Sequence, residues 1–260
     1  MFHPQGPTFW ELAEQCLSST ERGYDLLAPK FDYTPFRTPD ILLDGMAKVL
    51  GEPQSIDAAL DLCTGTGAAI RILRPLVRAA EPAGNALRGD PERHGGRSLQ
   101  RVVGIDFSPG MLEVARQSFP NEPNQPPVDF VLGDVLEMDF REEFDVATIA
   151  GAQGHILPKD EPRFLERIRA ALKPGGRFVF LTTTMPPVWS PRWVLSRGFN
   201  AAMHVRNAIK RPSFIMFYLT FLLPDCLKLL DEQGFDAQVH EDVFADRWRP
   251  IQVVEATRRP

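Results

Sequence analysis

The stretch "AALDLCTGTGAAI" (58–70) decides the fold. It begins as an apolar run, passes an acid at Asp61 and a cysteine at Cys63, then turns on Gly65 and Gly67 into a helical pattern. A buried strand that feeds a glycine turn and a helix is the opening unit of a parallel sheet. Ligands of such sheets bind at the carboxyl ends of the strands. The missing side chains at the two glycines let a ligand approach the backbone closely. A phosphate loop wants a Lys followed by Ser or Thr, and neither follows here. A dinucleotide turn wants a small residue at position 70, which is Ile70, and Asp61 would repel a pyrophosphate. The turn asks instead for a ligand with positive charge near Asp61, such as an amino group or a sulfonium.

The same alternation runs along the rest of the chain. "SIDAALDL" (55–62), "RVVGID" (101–106), "VDFVLGD" (128–134) and "FDVATIA" (144–150) each read as a buried strand. "RFVFLTT" (177–183), "AQVHEDVF" (237–244) and "IQVVEAT" (251–257) continue the series. Between them lie the helical patterns "AAIRILRPLVRAA" (68–80), "GMLEVARQSF" (110–119), "DEPRFLERIRAAL" (160–172) and "PDCLKLLDEQGF" (224–235). Strand-helix-strand repetition with apolar strands predicts a parallel sheet covered by helices on both faces. The last two strands are too close in sequence for a helical crossover, so they form an antiparallel pair at one edge. Ahead of the first strand, residues 1–54 carry added helices around a turn and read as a helical cap. The Gly- and Pro-rich run 81–100 reads as a mobile surface loop. Residues 185–223, rich in aromatics and Met, read as an inserted segment of one or two helices serving as a substrate lid.

At 260 residues, with 43% hydrophobic and 24% charged residues, the chain is of ordinary soluble composition and forms a single domain over 1–260. Its net charge of −5 offers no general attraction to nucleic acid. Cys16, Cys63 and Cys226 lie far apart, and the five histidines lack ligand spacing, so neither a disulfide framework nor a metal site is indicated. The N-terminus does not read as a signal peptide, and no apolar run nears the roughly 18 residues of a membrane span. A cytoplasmic protein without stable membrane insertion is expected.

Two more strands end on acids. Asp106 can accept from the two hydroxyls of a ribose, and Asp134 from an exocyclic amine of adenine. An amino acid joined through a sulfonium to adenosine satisfies Asp61, Asp106 and Asp134 together. The succession "LDLCTGTG", "VVGIDFSPGML", "FVLGDVLEMDF", "FDVATIAGAQGHI" and "ALKPGGRFVFL" resembles the class I S-adenosylmethionine-dependent methyltransferase family over about residues 56–184. One departure is Cys63, which stands where the family commonly has the first of three glycines.

The resemblance implies a Rossmann-like, doubly wound, mostly parallel seven-stranded α/β sheet with an antiparallel edge strand and added helices over its carboxyl side. It implies S-adenosyl-L-methionine as cofactor. Asp61, Gly65 and Gly67, with Cys63 and Thr64, would cradle its methionine portion. Asp106 would hold the ribose, Phe107 and Met111 would border the adenine, and Gly133, Asp134 and Val135 would meet its edge. Ala150 and Gly151 would face the cofactor after the fourth strand. "YDLLAPKFD" and "FLLPDCLKLLDEQGFD" are similar to segments of the ubiquinone and menaquinone biosynthesis C-methyltransferases, which points to an apolar acceptor.

The reading is methyl transfer to a small, apolar or aromatic molecule, on oxygen, nitrogen or carbon. Trp189, Trp193, Phe214 and Phe217 would bind the acceptor, and His155 would serve as general base or orient it. A solvated loop histidine and ordinary core aromatics are the plainer alternatives. A non-catalytic or non-methylating cofactor binder is one rival. A nicotinamide oxidoreductase is another, opposed by Asp61 and Ile70. Nucleic acid as acceptor is opposed by the acidic charge and the lack of an Asn/Asp-Pro-Pro-Tyr/Phe sequence after the fourth strand.

Overall fold

The computed structural model describes residues 3–79 and 100–260. The run 81–100, read above as a loop, lies outside the described residues except for its last position. Seven strands are formed: β1 (Ala58–Leu62), β2 (Arg101–Asp106), β3 (Val128–Leu132), β4 (Phe144–Ile149), β5 (Leu172–Thr183), β6 (Phe235–His240) and β7 (Ile251–Arg258). They make one sheet in the order β3-β2-β1-β4-β5-β7-β6. β7 alone is reversed, pairing antiparallel with β5 and with β6, which closes the edge. The chain leaves β1 toward β2 and β3 on one side and returns at β4 on the other. That reversal opens a crevice at the carboxyl ends of β1 and β4.

Alternation explains how β1 sits at the centre. All five of its residues are buried. Leu60 and Leu62 share a core with Phe164, Leu165 and Ile168 of helix α6 (Glu161–Ala171). Ala59 belongs to the core of the other face, with Leu43, Met46 and Leu50 of helix α3 (Asp40–Leu50). Side chains of successive strand residues point to opposite faces, so each face takes alternate residues. Phe178 and Phe180 of β5 stack at 4.9 Å within the first core, and Phe164 meets Phe178 edge-on.

Several elements depart from the sequence reading. β3 is not a buried strand: only Val128 is buried, and Leu132 is 58% exposed, because β3 is an edge with a single neighbour. The helical pattern of 68–80 gives only α4 (Ile70–Leu73) and a tight turn at Arg74–Leu76. Pro75 lacks the N–H a longer helix needs, and Val77 instead bridges to Ile56. β5 begins at Leu172 rather than 177, with a register shift opposite Phe144 and Val146 that absorbs the "KPGG" run. Helices α5 (Pro109–Ser118) and α8 (Asp225–Glu232) follow their patterns.

Ahead of β1 lie α1 (Phe9–Leu17) and α2 (Thr20–Leu27), then a tight turn at Ala28–Tyr33 and α3. Thr8 and Glu11 close α1 with a reciprocal capping box. Between β5 and α8 there is one helix, α7 (Pro191–Ile209). The chain after it, 210–224, is not helical and is held by two side-chain amides. Asn207 accepts from the Phe214 N–H and donates to the Phe214 carbonyl, each at 2.9 Å. Asn200, about two turns earlier, does the same with Tyr218 at 2.9 and 2.8 Å. Each amide stands in for a backbone partner that this irregular segment lacks. Phe217 adds an N–H to the Gly154 carbonyl at 2.8 Å, bringing the segment to the carboxyl side of β4.

Candidate active site

The turn after β1 is shaped by backbone conformations that most residues avoid. Cys63 (φ 51°), Gly65 (φ 55°) and Gly67 (φ 89°) all lie in the left-handed region. A side chain there strains the backbone by about 1–2 kcal/mol, which is the physical reason a glycine suits position 63 and the cost that Cys63 carries. The two glycines do different work. A Cβ on Gly65 would meet nothing within 4 Å, because its Cα faces a cavity. A Cβ on Gly67 would stand 2.8 Å from the Phe119 ring, so this glycine lets the turn pack on the end of α5.

Asp106 ends β2 against that turn. Its Oδ2 accepts from the Gly65 N–H at 2.8 Å and its Oδ1 from the Ser108 N–H at 2.9 Å. Burial raises its carboxyl above the ordinary value, with those backbone N–H groups pulling the other way. Asp61 lies behind the turn, 2% exposed, accepting from the hydroxyls of Thr64 (2.6 Å) and Thr148 (2.9 Å). Burial pushes it up to about 7. The Cys63 thiol is also raised by burial, which keeps it a thiol and removes it as a nucleophile.

Helix α2 is tied to this strand end. Asp25 Oδ1 accepts from the Ser108 hydroxyl at 2.6 Å and the Gly110 N–H at 2.9 Å, at the N-terminus of α5. That pairing sets Tyr24 over the crevice. Its hydroxyl lies 2.8 Å from His155 Nε2, and His155 Nδ1 lies 2.6 Å from the Ile215 carbonyl. A carbonyl only accepts, so Nδ1 carries the proton and the Tyr24 hydroxyl donates to Nε2. Burial lowers the His155 pKa and raises that of Tyr24, so both stay neutral near pH 7. The imidazole lone pair that a general base needs is therefore occupied by Tyr24.

The cavity is walled by Gly65, Asp106, Phe107 and Met111 on the sheet side, by Ala150, Gly151 and His155 after β4, and by Tyr24, Phe31, Phe36 and Thr38 from the N-terminal segment. Cys63 and Thr64 also line it. A second cavity shares Cys63, Phe107 and His155 and is lined by Asp134 and Val135. Asp61, Gly67 and Gly133 line neither cavity.

The four aromatics read as an acceptor lid are not at either cavity. Trp189 is 78% exposed and packs on Trp193 at 5.3 Å. Phe217 packs on His204 at 4.8 Å. Phe214 is buried behind Tyr24, with parallel rings 6.5 Å apart. The inserted segment reaches the site through Ile215 instead. What sequence reasoning missed is Tyr24, Phe31, Phe36 and Thr38. Thr38 donates to the Ala150 carbonyl at 2.9 Å, a pairing across 112 positions that no local spacing announces. The run "YDLLAPKFDY" was the available signal for Tyr24 and Phe31.

Residues 84–180 match the model of a methyltransferase domain. Over that span the chain is similar to methyltransferase domains. The matched span begins after the glycine turn and takes in β2 to β4 and most of β5. A demethylmenaquinone methyltransferase of Symbiobacterium thermophilum is 36% identical over 87 residues, 33% of this chain and 34% of that protein. A 2-phytyl-1,4-naphtoquinone methyltransferase of Trichormus variabilis is 32% identical over 132 residues, 50% of this chain and 48% of that protein. The chain thus spans between about a third and a half of the length of these curated relatives. The solved DhpI–SAH complex covers 97% of this chain and 100% of its own at a TM-score of 0.59 and 19% identity, a likeness of fold.

Proposed function

We propose that this methyltransferase domain transfers a methyl group from S-adenosylmethionine to a small acceptor with an apolar ring. The observation that carries the reading is the bare Gly65 backbone beside the buried Asp106 carboxylate in one cavity. Both Asp106 oxygens already accept one backbone N–H, and each keeps a lone pair for a ribose hydroxyl. Phe107 and Met111 offer an apolar seat for a flat base, and Asp134 and Val135 stand in the adjoining cavity where its edge would reach. Cys63, Thr64, Gly65, Ala150 and Gly151 would flank the methionine portion. Asp61 would act from behind the turn by fixing Thr64 and by its charge, without touching the ligand.

The bound cofactor supplies a methyl group already activated on a sulfonium. What remains for the chain is alignment and exclusion of water, which is catalysis by positioning. Residues 1–54 would close over the crevice with Tyr24, Phe31 and Phe36, giving the acceptor an aromatic wall. The Tyr24 oxygen, its own proton held by His155, would accept a hydrogen bond from an acceptor hydroxyl or amine and so orient it. His155 would be a positioning residue for Tyr24, and its lowered pKa makes it a poor store for a proton. Quinone rings, the substrates named by the two curated relatives, are the acceptor class to try first.

The test has two steps. Calorimetric titration with S-adenosylmethionine should show binding, and Asp106→Ala should weaken it by about tenfold or more, as loss of a hydrogen bond to a charged group costs about 1.5–3 kcal/mol. Incubation with cofactor and a reduced 1,4-naphthoquinone should then give the methylated ring by mass spectrometry. Absence of cofactor binding, or unchanged affinity in Asp106→Ala, overturns the site. Binding without methyl transfer to any ring acceptor overturns the acceptor class.

A further inference from the structure

Helix α7 wears its apolar residues on the wrong side for a helix that packs on a core. Of its nineteen residues, only Met203 is buried. The inward side also carries Phe199, whose ring meets Tyr218 edge-on at 4.9 Å, and several polar groups: Asn200 and Asn207 hold the chain after the helix, and the Arg206 guanidinium donates to the carbonyls of Cys16 (2.9 Å), Ser18 (2.6 Å) and Pro212 (2.6 Å). At about 100° per residue, Val194, Leu195, Ala201, Ala202, Val205 and Ile209 fall on one stripe, and all six are exposed. Leu195 is 73% and Ile209 82% exposed. Just before the helix, Val188 is 62% and Trp189 78% exposed.

The charge of the segment has one sign. From Phe178 to Pro224 there is no Asp or Glu, against five Lys and Arg, in a chain whose net charge is −5. Arg197 stands beside the apolar stripe, Arg192 lies in the first turn of α7, and Lys210 and Arg211 follow its last residue. None of the five makes an ion pair among the described residues. Arg197 instead lies over the Trp193 ring at 5.7 Å. Beyond the end of the helix, Lys210 and Pro212 form a groove with Trp10, Glu14 and Leu17 of α1 and Arg22 of α2, and Trp10 is 78% exposed. Among the described residues no helix is long and apolar enough to cross a membrane.

We infer that the outward face of α7 lies on an anionic lipid bilayer, with Trp189, Leu195, Val205 and Ile209 entering the headgroup boundary and Arg192, Arg197, Lys210 and Arg211 meeting lipid phosphates. An exposed apolar stripe flanked by cations is the pattern of a helix that rests in a membrane interface. A second copy of the chain fits worse, because a self-matched contact on this segment would bring its cations together with no acid of the segment to meet them. Anionic lipid supplies the missing opposite charge. The inference goes beyond methyl transfer and holds whichever acceptor is used.

The test is flotation of the full chain with vesicles of phosphatidylcholine alone or mixed with phosphatidylglycerol, at low and at 0.5 M salt (about a threefold shorter screening length than at 0.05 M). Binding is expected to the mixed vesicles only, and to fall at least tenfold in high salt. Leu195→Glu combined with Ile209→Glu should abolish it while leaving the melting temperature and S-adenosylmethionine binding unchanged. Arg192→Glu combined with Lys210→Glu should also weaken it at least tenfold. No binding to mixed vesicles, equal binding to neutral ones, or unimpaired binding by the Glu variants overturns the inference. So does a dimer in sedimentation velocity that Leu195→Glu with Ile209→Glu dissociates, since the face would then belong to a second copy.

Discussion

Replacing Asp61 with Asn separates the charge of that residue from its shape. Asp61 is 2% exposed, and its carboxylate accepts from two threonine hydroxyls. Burial nonetheless raises it from 3.8 to about 7, so desolvation outweighs both bonds, with the Asp106 charge adding to the rise. Because the folded value is the higher one, the unfolded chain gives up its proton first as pH rises. The stability is fully present below about pH 4 and is lost progressively until the folded carboxyl ionises near pH 7. At 1.36 kcal/mol for each tenfold step in proton affinity, that loss is on the order of 4 kcal/mol. Asn keeps the size and one acceptor oxygen, and a threonine hydroxyl can rotate to accept from its amide. Urea denaturation of both proteins at steps from pH 4 to pH 8, without cofactor, reads the difference directly. The variant should gain on the wild type by several kcal/mol between pH 4 and pH 7, and the gap should then stay level. A gap that stays within about 1 kcal/mol over the whole range would refute the reasoning, since the carboxylate would then be solvated or balanced by a charge.

Two further outcomes follow from the same region. Tyr24→Phe strips His155 Nε2 of its donor in a buried setting and should destabilise the fold by about 1–3 kcal/mol in urea titration; an unchanged midpoint would mean that water replaces the phenol. The two glycines should separate by assay: Gly67→Ala, which drives a Cβ to 2.8 Å from Phe119, should cost about 1–3 kcal/mol of overpacking on top of about 1–2 kcal/mol of backbone strain. Gly65→Ala, which points into open cavity, should cost only about 1–2 kcal/mol of backbone strain yet weaken S-adenosylmethionine binding at least tenfold in calorimetry. Equal stability losses with equal binding losses would remove the distinction between them.

The fold was legible wherever local pattern and sheet position agree. β1, β2 and β4 are central, buried on both faces, and their apolar runs needed no partner to be recognised. β3 misled because the same kind of run sits at an edge, and edge position is a property of topology rather than of residues 128–132. Pro75 was visible, but the competition between extending α4 and bridging Val77 to Ile56 is decided by a strand neighbour distant in sequence. In the site, Gly65 and Asp106 could be found because one strand end and one turn hold each of them. Tyr24 could not, since its position depends on Asp25 gripping the start of α5, on its own hydroxyl meeting His155 and on His155 being fixed by Ile215, three contacts that each join distant segments. The aromatics of 185–223 stand away from both cavities for a related reason. Aromatic content marks a segment that must be packed or must bind something, and it does not say which side chains face inward.

Several features that weaken this chain meet at the crevice. Cys63 holds a left-handed backbone that glycine would hold with less strain, and Asp61 and Asp106 are carboxyls raised by burial on two neighbouring strands beside that turn. Tyr24 and His155 are kept neutral and bonded to each other in the opposite wall. A chain selected for stability alone would fill this crevice with apolar residues, as it does on the faces of β1 where Leu60, Leu62 and Ala59 pack without a polar atom. Strain and unpaired charge persist where a ligand offsets them. The ligand that would offset these brings hydroxyls to Asp106 and positive charge toward Asp61, and it needs bare backbone at Gly65. A pyrophosphate would add negative charge beside two acids, and a purely apolar ligand would leave both acids unrelieved. The electrostatics of the crevice thus favour a sulfonium nucleoside, an argument that rests on the chemistry of the turn rather than on its likeness to other proteins.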